Sequence, residues 1–274
     1  MSGVARKQKI IAIFIAYNAE KTLAAFFKEF PKHLVDGMIL VDDASADNTF
    51  ALAKKLGITA YRNPVNLGYG GNMKRALELA LAAGADIIID LHPDGEYKPS
   101  AIPAALDAVQ CGAALVLGNR FMHGQSPLRS GMYWWKWIPI RCLNWIDRIA
   151  LGVPLDDFHQ GFRLYTRQLL EQVNYHVNDA RYLFSFELIA QAVFHHLPIA
   201  QVPVETSYTG SKRGASLKSS IRYSLGTFRV LFLFFFAKAG LRTALFRKPR
   251  GVLRTGRSSH KRSAVTPRAH SELG

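Results

Sequence analysis

The sequence predicts an α/β fold, a mostly parallel sheet flanked by helices, and three observations carry that prediction. Short apolar, β-branched runs alternate with segments of helical period from Lys9 to about residue 118. Several of those runs end in polar clusters, as strands do when they deliver side chains to the carboxyl edge of a parallel sheet. The sharpest case is Asp86-Ile87-Ile88-Ile89-Asp90-Leu91, which stops in His92-Pro93-Asp94-Gly95-Glu96-Tyr97-Lys98-Pro99. A buried strand that ends in oxygen and nitrogen ligands, Pro and Gly marks a metal or nucleotide site.

The elements follow in order. Lys9 to Ile15 is apolar and β-branched, and Glu20 to Phe30 has helical period. Gly37 to Val41 reads as a second strand, Asp47 to Leu56 as a second helix and Ile58 to Tyr61 as a third strand. A loop holding Asn63-Pro64 and Gly68 precedes a long helix from about Tyr69 to Ala83. Asp86 to Leu91 and Ala113 to Leu117 supply two more strands. A chain of 274 residues, 49% hydrophobic, can bury one sizeable core with at most a small appendage.

Charge is distributed unevenly. From Lys238 onward ten Lys and Arg face the single acid Glu272, so +9 of the net +15 belongs to that end. Residues 249–274 have the Arg, Ser, His, Gly and Pro composition of a disordered basic tail, and 1–8 form a short basic extension. The tail is a solvated segment or one drawn to anionic lipid, and no nucleic-acid partner is expected. Two cysteines, Cys111 and Cys142, give neither a disulfide framework nor metal-ligand spacing, which fits a reducing cytosolic setting. No signal peptide is evident at the start.

Paired carboxylates need donors or a cation to sit together at a strand end. Val41-Asp42-Asp43-Ala44-Ser45-Ala46-Asp47 follows the second strand, and Ala16-Tyr17-Asn18-Ala19-Glu20 the first. Asp42 and Asp43 read as ligand-binding, whereas Asp47 is equally well a helix cap. In Asn66-Leu67-Gly68-Tyr69-Gly70-Gly71 the glycines permit a tight turn before a helix N-terminus, a place for a diphosphate. The stretch is neither a P-loop nor a dinucleotide fingerprint. His195-His196 reads as a helix end, lacking a third ligand nearby.

Tyr17-Asn18-Ala19-Glu20, Asp42-Asp43-Ala44-Ser45, Asn66-Leu67-Gly68-Tyr69-Gly70 and His92-Pro93-Asp94-Gly95-Glu96-Tyr97, in this order, resemble family 2 glycosyltransferases of the GT-A fold. The subgroup most similar is that of the dolichol-phosphate mannosyltransferases and other polyprenyl-phosphate glycosyltransferases. The resemblance spans about residues 8–235. Gly118-Asn119-Arg120 looks like the family's Gly-Ser-Arg, and Asp157-Phe158-His159-Gln160-Gly161-Phe162-Arg163 its Asp-x-x-Ser/Thr-Gly-Phe-Arg. It implies a Rossmann-like GT-A domain over 9–216 and, over 217–248, an amphipathic C-terminal helix at the membrane interface.

The resemblance also implies roles. Tyr17, Glu20 and Asp42 or Asp43 would hold the nucleoside of a UDP- or GDP-hexose, and Asn66 and Gly68 would border its diphosphate. His92 and Asp94 occupy the Asp-x-Asp positions that bind Mg2+ or Mn2+. His in the first place departs from the family and softens the ligand set toward Mn2+. Asp90 ranks below Asp94 as a ligand. Arg120 and Arg163 are candidates for phosphate, and Lys212 and Arg213 sit in a basic loop that would close over the diphosphate. Asp94, Asp157 and Arg163 form the expected catalytic set. A polyprenyl phosphate acceptor arrives ionised and needs positioning, while a hydroxyl acceptor would need Asp157 as a general base.

All four Trp lie between 134 and 145, interleaved with Lys136 and Arg141 and followed by Arg148. Such a mixture suits a headgroup boundary. Lys218, Arg222 and Arg229 recur at four and seven on one helical face, and the apolar run Val230–Ala237 is eight residues, well short of the ~20 that span a bilayer. The expectation is therefore an inverting hexosyl transfer to a polyprenyl phosphate by a cytoplasmic enzyme lying on the inner face of the membrane. The rivals are a lipid or glycan hydroxyl acceptor and, in another class, a nucleotidyltransferase or a nucleic-acid binder.

Overall fold

A computed structural model describes residues 7–122, 127–208 and 217–249, with 217 and 218 described by their backbone alone. The expected Lys212, Arg213 and disordered tail, and most of the N-terminal extension, lie outside these residues. Seven strands form one sheet: β1 (Ile10–Ala16), β2 (Gly37–Asp42), β3 (Thr59–Arg62), β4 (Ile87–Asp90), β5 (Leu115–Asn119), β6 (Arg163–Thr166) and β7 (Ile199–Pro203). Their spatial order is β3-β2-β1-β4-β6-β5-β7. Of these seven, only β6 is antiparallel, wedged between β4 and β5 with Asp90 opposite Arg163.

The strands are buried on both faces, and their alternate side chains feed two cores. Ile11, Ile13 and Ile15 of β1 join one cluster, while Ala12, Phe14 and Ala16 join the other. On the second side α1 (Glu20–Glu29), α2 (Thr49–Lys55) and α4 (Ile102–Gln110) cover the sheet. There Phe14 meets Phe26 and Phe30 edge-on at 5.3 and 5.1 Å. The first side is covered by α3 (Gly68–Ala82), α5 (Trp134–Leu151), α6 (Arg167–Gln172), α7 (Phe184–Phe194) and α8 (Leu217–Lys238).

Gly70 fixes how α3 meets its neighbour. A Cβ there would stand 2.2 Å from the Asp179 carbonyl oxygen and 2.9 Å from Phe184 Cβ. The amides of Gly70 and Gly71 both donate to the Ala180 carbonyl, at 2.9 and 3.2 Å. His195 caps the end of α7 and His196 takes positive φ, so this pair closes a helix, as its sequence implied.

The helix α8 is longer than its apolar run foretells. Its stretch Ser219–Lys238 is, by length and composition, enough to cross a bilayer. Yet Thr227, Val230, Leu231 and Phe234 are buried in the domain, and after α8 the chain returns to bury Leu245 and Phe246 beside Phe194 and Phe234. The segment 217–248 thus shares the main core along one stripe.

Candidate active site

Because β6 runs antiparallel, its first residue reaches the edge at which β1, β2, β4 and β5 end. That edge therefore gathers Tyr17–Glu20, Asp42–Asp47, Asp90–Glu96, Asn119-Arg120 and Asp157–Arg163. The loops after β1 and β2 are stitched together. The Asn18 amide donates to Ser45 Oγ (2.8 Å), the Ala46 amide to Asn18 Oδ1 (2.9 Å), and Glu20 accepts from the Asn48 side chain (2.8 Å). Asn18 and Ala44 both have positive φ, which is unusual for Ala and places backbone strain in this edge.

Asp47 accepts from the amide and hydroxyl of Thr49 and from the Glu20 amide. Burial pushes its carboxyl up, but these bonds win and hold it below the usual range. It serves as a joint between α2 and the first loop. Asp42 is buried, bonded to Ser45 and 3.3 Å from Arg62 Nε. Tyr17 stands 57% exposed at the lip, open to a ring.

Asp43 and the glycine-rich turn are committed to each other. Asp43 Oδ1 accepts from Asn63 (2.7 Å) and the Leu67 amide (2.8 Å), and Oδ2 from the Gly68 amide (3.0 Å). The Asn66 side chain donates to the Asp43 carbonyl and accepts from the Gly68 amide. With Gly70 and Gly71 bonded to Ala180, the turn's amides are occupied by the protein itself. The close approach that these glycines permit is that of the 179–184 backbone.

Arg120 and Asp157 form a buried bidentate pair. Arg120 Nε and Nη2 lie 2.7 and 2.8 Å from the two carboxylate oxygens, and the Arg120 amide adds a third bond at 3.1 Å. Nη1 and Nη2 also donate to Tyr208 Oη and the His159 carbonyl. Burial opposes the charge on Arg120, but Asp157 and nearby Tyr97 and Tyr208 more than reverse it, so the guanidinium stays charged. His159 ties this motif to two helices, meeting Asp147 of α5 at 2.7 Å and Tyr223 of α8 at 2.8 Å.

Arg163 is buried under the cleft, with Nη2 on the Gln160 carbonyl and Nη1 near Tyr69 Oη (3.4 Å) and Asp90 (3.9 Å). Asp90 Oδ2 accepts from Tyr165 Oη at 3.1 Å. Above them His92 is buried on one edge, Asp94 is exposed, and the Glu96 amide donates to Asp94 Oδ1. Burial and the neighbouring Asp94 raise the Glu96 carboxyl's pKa.

Among the described residues no three metal-ligating side chains converge. The donor set instead suits an open half-site: one exposed carboxylate, Asp94, and the imidazole of His92, whose buried Nε2 and its neighbour Asp90 Oδ1 lack hydrogen-bond partners among the described residues. Mg2+ and Mn2+ are commonly held by one or two protein side chains plus substrate phosphates. These residues fit such an ion.

Residues 11–173 match the Glycosyl transferase family 2. The chain belongs to that family and is a glycosyltransferase. Among curated relatives, polyprenol monophosphomannose synthase of Mycolicibacterium smegmatis is 28% identical over 258 residues, covering 90% of this chain and 92% of its own. An undecaprenyl-phosphate mannosyltransferase of Micrococcus luteus is 23% identical and covers 79% and 94%. Among solved structures, glucosyl-3-phosphoglycerate synthase of Mycobacterium tuberculosis, in complex with Mn2+, UDP-glucose and phosphoglyceric acid, superposes with a TM-score of 0.62 at 20% identity, covering 87% and 82%. This glycosyltransferase therefore has the mostly parallel GT-A arrangement.

Proposed function

We propose that this family 2 glycosyltransferase moves a hexose, with inversion, from a nucleoside diphosphate sugar to a polyprenyl phosphate at a membrane surface. The observation that carries the acceptor class is the state of Asp157. Both its oxygens are turned inward onto Arg120 and the residue is wholly buried. To deprotonate a hydroxyl it would have to break that pair. A phosphate acceptor needs no such base. The curated relatives named above, which carry polyprenol or undecaprenyl phosphate in their names, support the same class.

In this mechanism Tyr17 offers its ring to the nucleobase, while Asp42, Asp43 and Glu20 keep the base and ribose loops in place. Asp94 and His92 would hold the divalent ion, which when bound offsets the charge that grows on the departing diphosphate. Arg163 supplies a fixed positive charge beneath that position, and its low-lying place keeps it from direct contact with an acceptor. Arg120, with Asp157, Tyr208 and the His159 carbonyl occupying most of its donors, shapes the acceptor side and leaves about one N–H for a phosphate oxygen. Lys212 and Arg213 remain proposed as the closing basic loop.

The membrane reading rests on two neighbouring faces. Trp134 and Trp145 are 68% and 65% exposed, and on α8 Ile221, Leu225, Phe228, Phe232, Phe235 and Phe236 face outward among Arg222, Arg229 and Lys238. Apolar rings mixed with cations suit the headgroup layer. The other stripe of α8 is packed in the domain, which supports a helix that lies along the membrane surface rather than across it, and the proposal places that surface on the cytoplasmic side. Asp157→Asn, which keeps the volume and a bond to Arg120, tests the acceptor. Turnover with polyprenyl phosphate should stay within about tenfold of wild type, whereas a wild type inactive on polyprenyl phosphate but active on a hydroxyl acceptor, with a loss on the order of 10²–10⁴ in the variant, would overturn this reading.

A further inference from the structure

Two buried polar atoms face each other beneath the candidate metal half-site with no hydrogen bond between them. His92 Nε2 lies 3.5 Å from Asp90 Oδ1, and neither atom has another partner among the described residues. Unpaired buried atoms of this kind call for an explanation. Asp90 itself is fixed: its second oxygen takes the Tyr165 hydroxyl at 3.1 Å and lies 3.9 Å from Arg163 Nη1. The imidazole is also fixed, with the ring of Tyr69 set edge-on at 5.5 Å.

The two ring nitrogens of His92 have different surroundings. Nε2 is enclosed, whereas the side chain as a whole keeps 16% exposure and Nδ1 is absent from the enclosed, unpartnered atoms. Nδ1 has no protein partner among the described residues either, so it faces the cleft. A proton on Nε2, aimed at the Asp90 carboxylate, leaves the Nδ1 lone pair free for a ligand. Metal-binding histidines have this arrangement, one nitrogen on the ion and the other N–H on a carboxylate that orients the ring.

We infer that Asp90 is a positioning residue that orients His92 so that its Nδ1 ligates the divalent ion, giving this enzyme a nitrogen ligand and a preference for Mn2+ over Mg2+. The inference rests on the metal-dependent glycosyltransferase reading above and adds the atom, the tautomer and the selectivity. Imidazole is a poor ligand for Mg2+, which prefers oxygen, and a better one for transition ions. On binding, the 3.5 Å gap between Nε2 and Oδ1 would close to an ordinary hydrogen bond.

Isosteric variants separate the two nitrogens. Glutamine places its amide nitrogen near the position of Nε2 and offers nothing at Nδ1, while asparagine puts an amide oxygen near Nδ1 and cannot reach Asp90. The experiment measures Mn2+ binding to the full chain by electron paramagnetic resonance with saturating UDP and, separately, GDP, in competition with Mg2+. Pulsed measurements of the bound ion detect coupling to a directly bound ¹⁴N. Wild type should show that coupling, and His92→Gln should lose it together with about tenfold or more in Mn2+ affinity. His92→Asn should retain Mn2+ with a narrower margin over Mg2+, and Asp90→Asn should weaken Mn2+ about 10–100-fold. Metal that binds and depends on Asp94 but shows no nitrogen coupling, or coupling that survives His92→Gln, would overturn the inference and leave the metal reading intact. If wild type binds no Mn2+ with either nucleotide, both fall.

Discussion

Arg120 and Asp157, 37 positions apart, meet as a buried bidentate ion pair at 2.7 and 2.8 Å. Removing one partner strands the other charge. Asp157→Ala should therefore cost about 3–5 kcal/mol in urea denaturation, and Arg120→Met combined with Asp157→Leu should recover most of it. A double variant as unstable as the sum of the singles would show that the two residues are not energetically coupled.

Gly70 sits where α3 touches the 179–184 backbone, and a Cβ added to it would stand 2.2 Å from the Asp179 carbonyl oxygen. The obstacle is backbone, so neither side can yield cheaply. Gly70→Ala should destabilise by about 1–3 kcal/mol, read from the denaturation midpoint. An unchanged midpoint would mean that the two segments separate freely.

The His195 imidazole is held below its ordinary value by burial first, then by Lys248 and His196. The unfolded chain takes up this proton near pH 6.5 and the folded one only at lower pH. Its contribution is thus present above about pH 6.5 and is lost as pH falls through the depressed folded value. His195→Phe also removes an enclosed, unpartnered Nε2. Relative to wild type, the variant should gain stability between about pH 7.5 and about pH 5; a difference that stays flat with pH would contradict this assignment.

Trp134 and Trp145 project from α5 into solvent. A large apolar side chain is worth about 1.5–3 kcal/mol when fully buried. The Trp134→Ala, Trp145→Ala double variant should therefore partition at least about tenfold more weakly onto anionic vesicles in a sedimentation assay. Its melting temperature should hardly move, because neither ring supports the core. Equal partitioning with an altered melting temperature would reverse that view.

Much of the sheet was legible because fully buried strands are apolar and stop at ligand-bearing loops, so β1 to β5 fall within two residues of their expected bounds. The four residues Arg163–Thr166 gave no such signal. As β6 they owe their conformation to pairing with β4 and β5 from far along the chain. β7 was missed for a similar reason, since it pairs with β5 from a distance of some 80 residues. Asp94, Asp157 and Arg163 stood out by motif, but sequence spacing cannot show that Asp157 is paired with Arg120 or that Arg163 lies beside Asp90. Glycine at 68, 70 and 71 signalled a close approach without naming what approaches, and the partner proved to be protein backbone. Asp90 looked like a lesser ligand because only the fold reveals that it faces His92.

The most direct measurement incubates the full chain with radiolabelled UDP- and GDP-sugars, polyprenyl phosphate and Mn2+, for wild type and Asp94→Ala. Label that enters the organic phase with wild type, depends on added metal and falls to background in the variant is the predicted result, and it names the donor. Label confined to hydroxyl-linked or water-soluble products, or undiminished in Asp94→Ala, would contradict transfer to a lipid phosphate through this site.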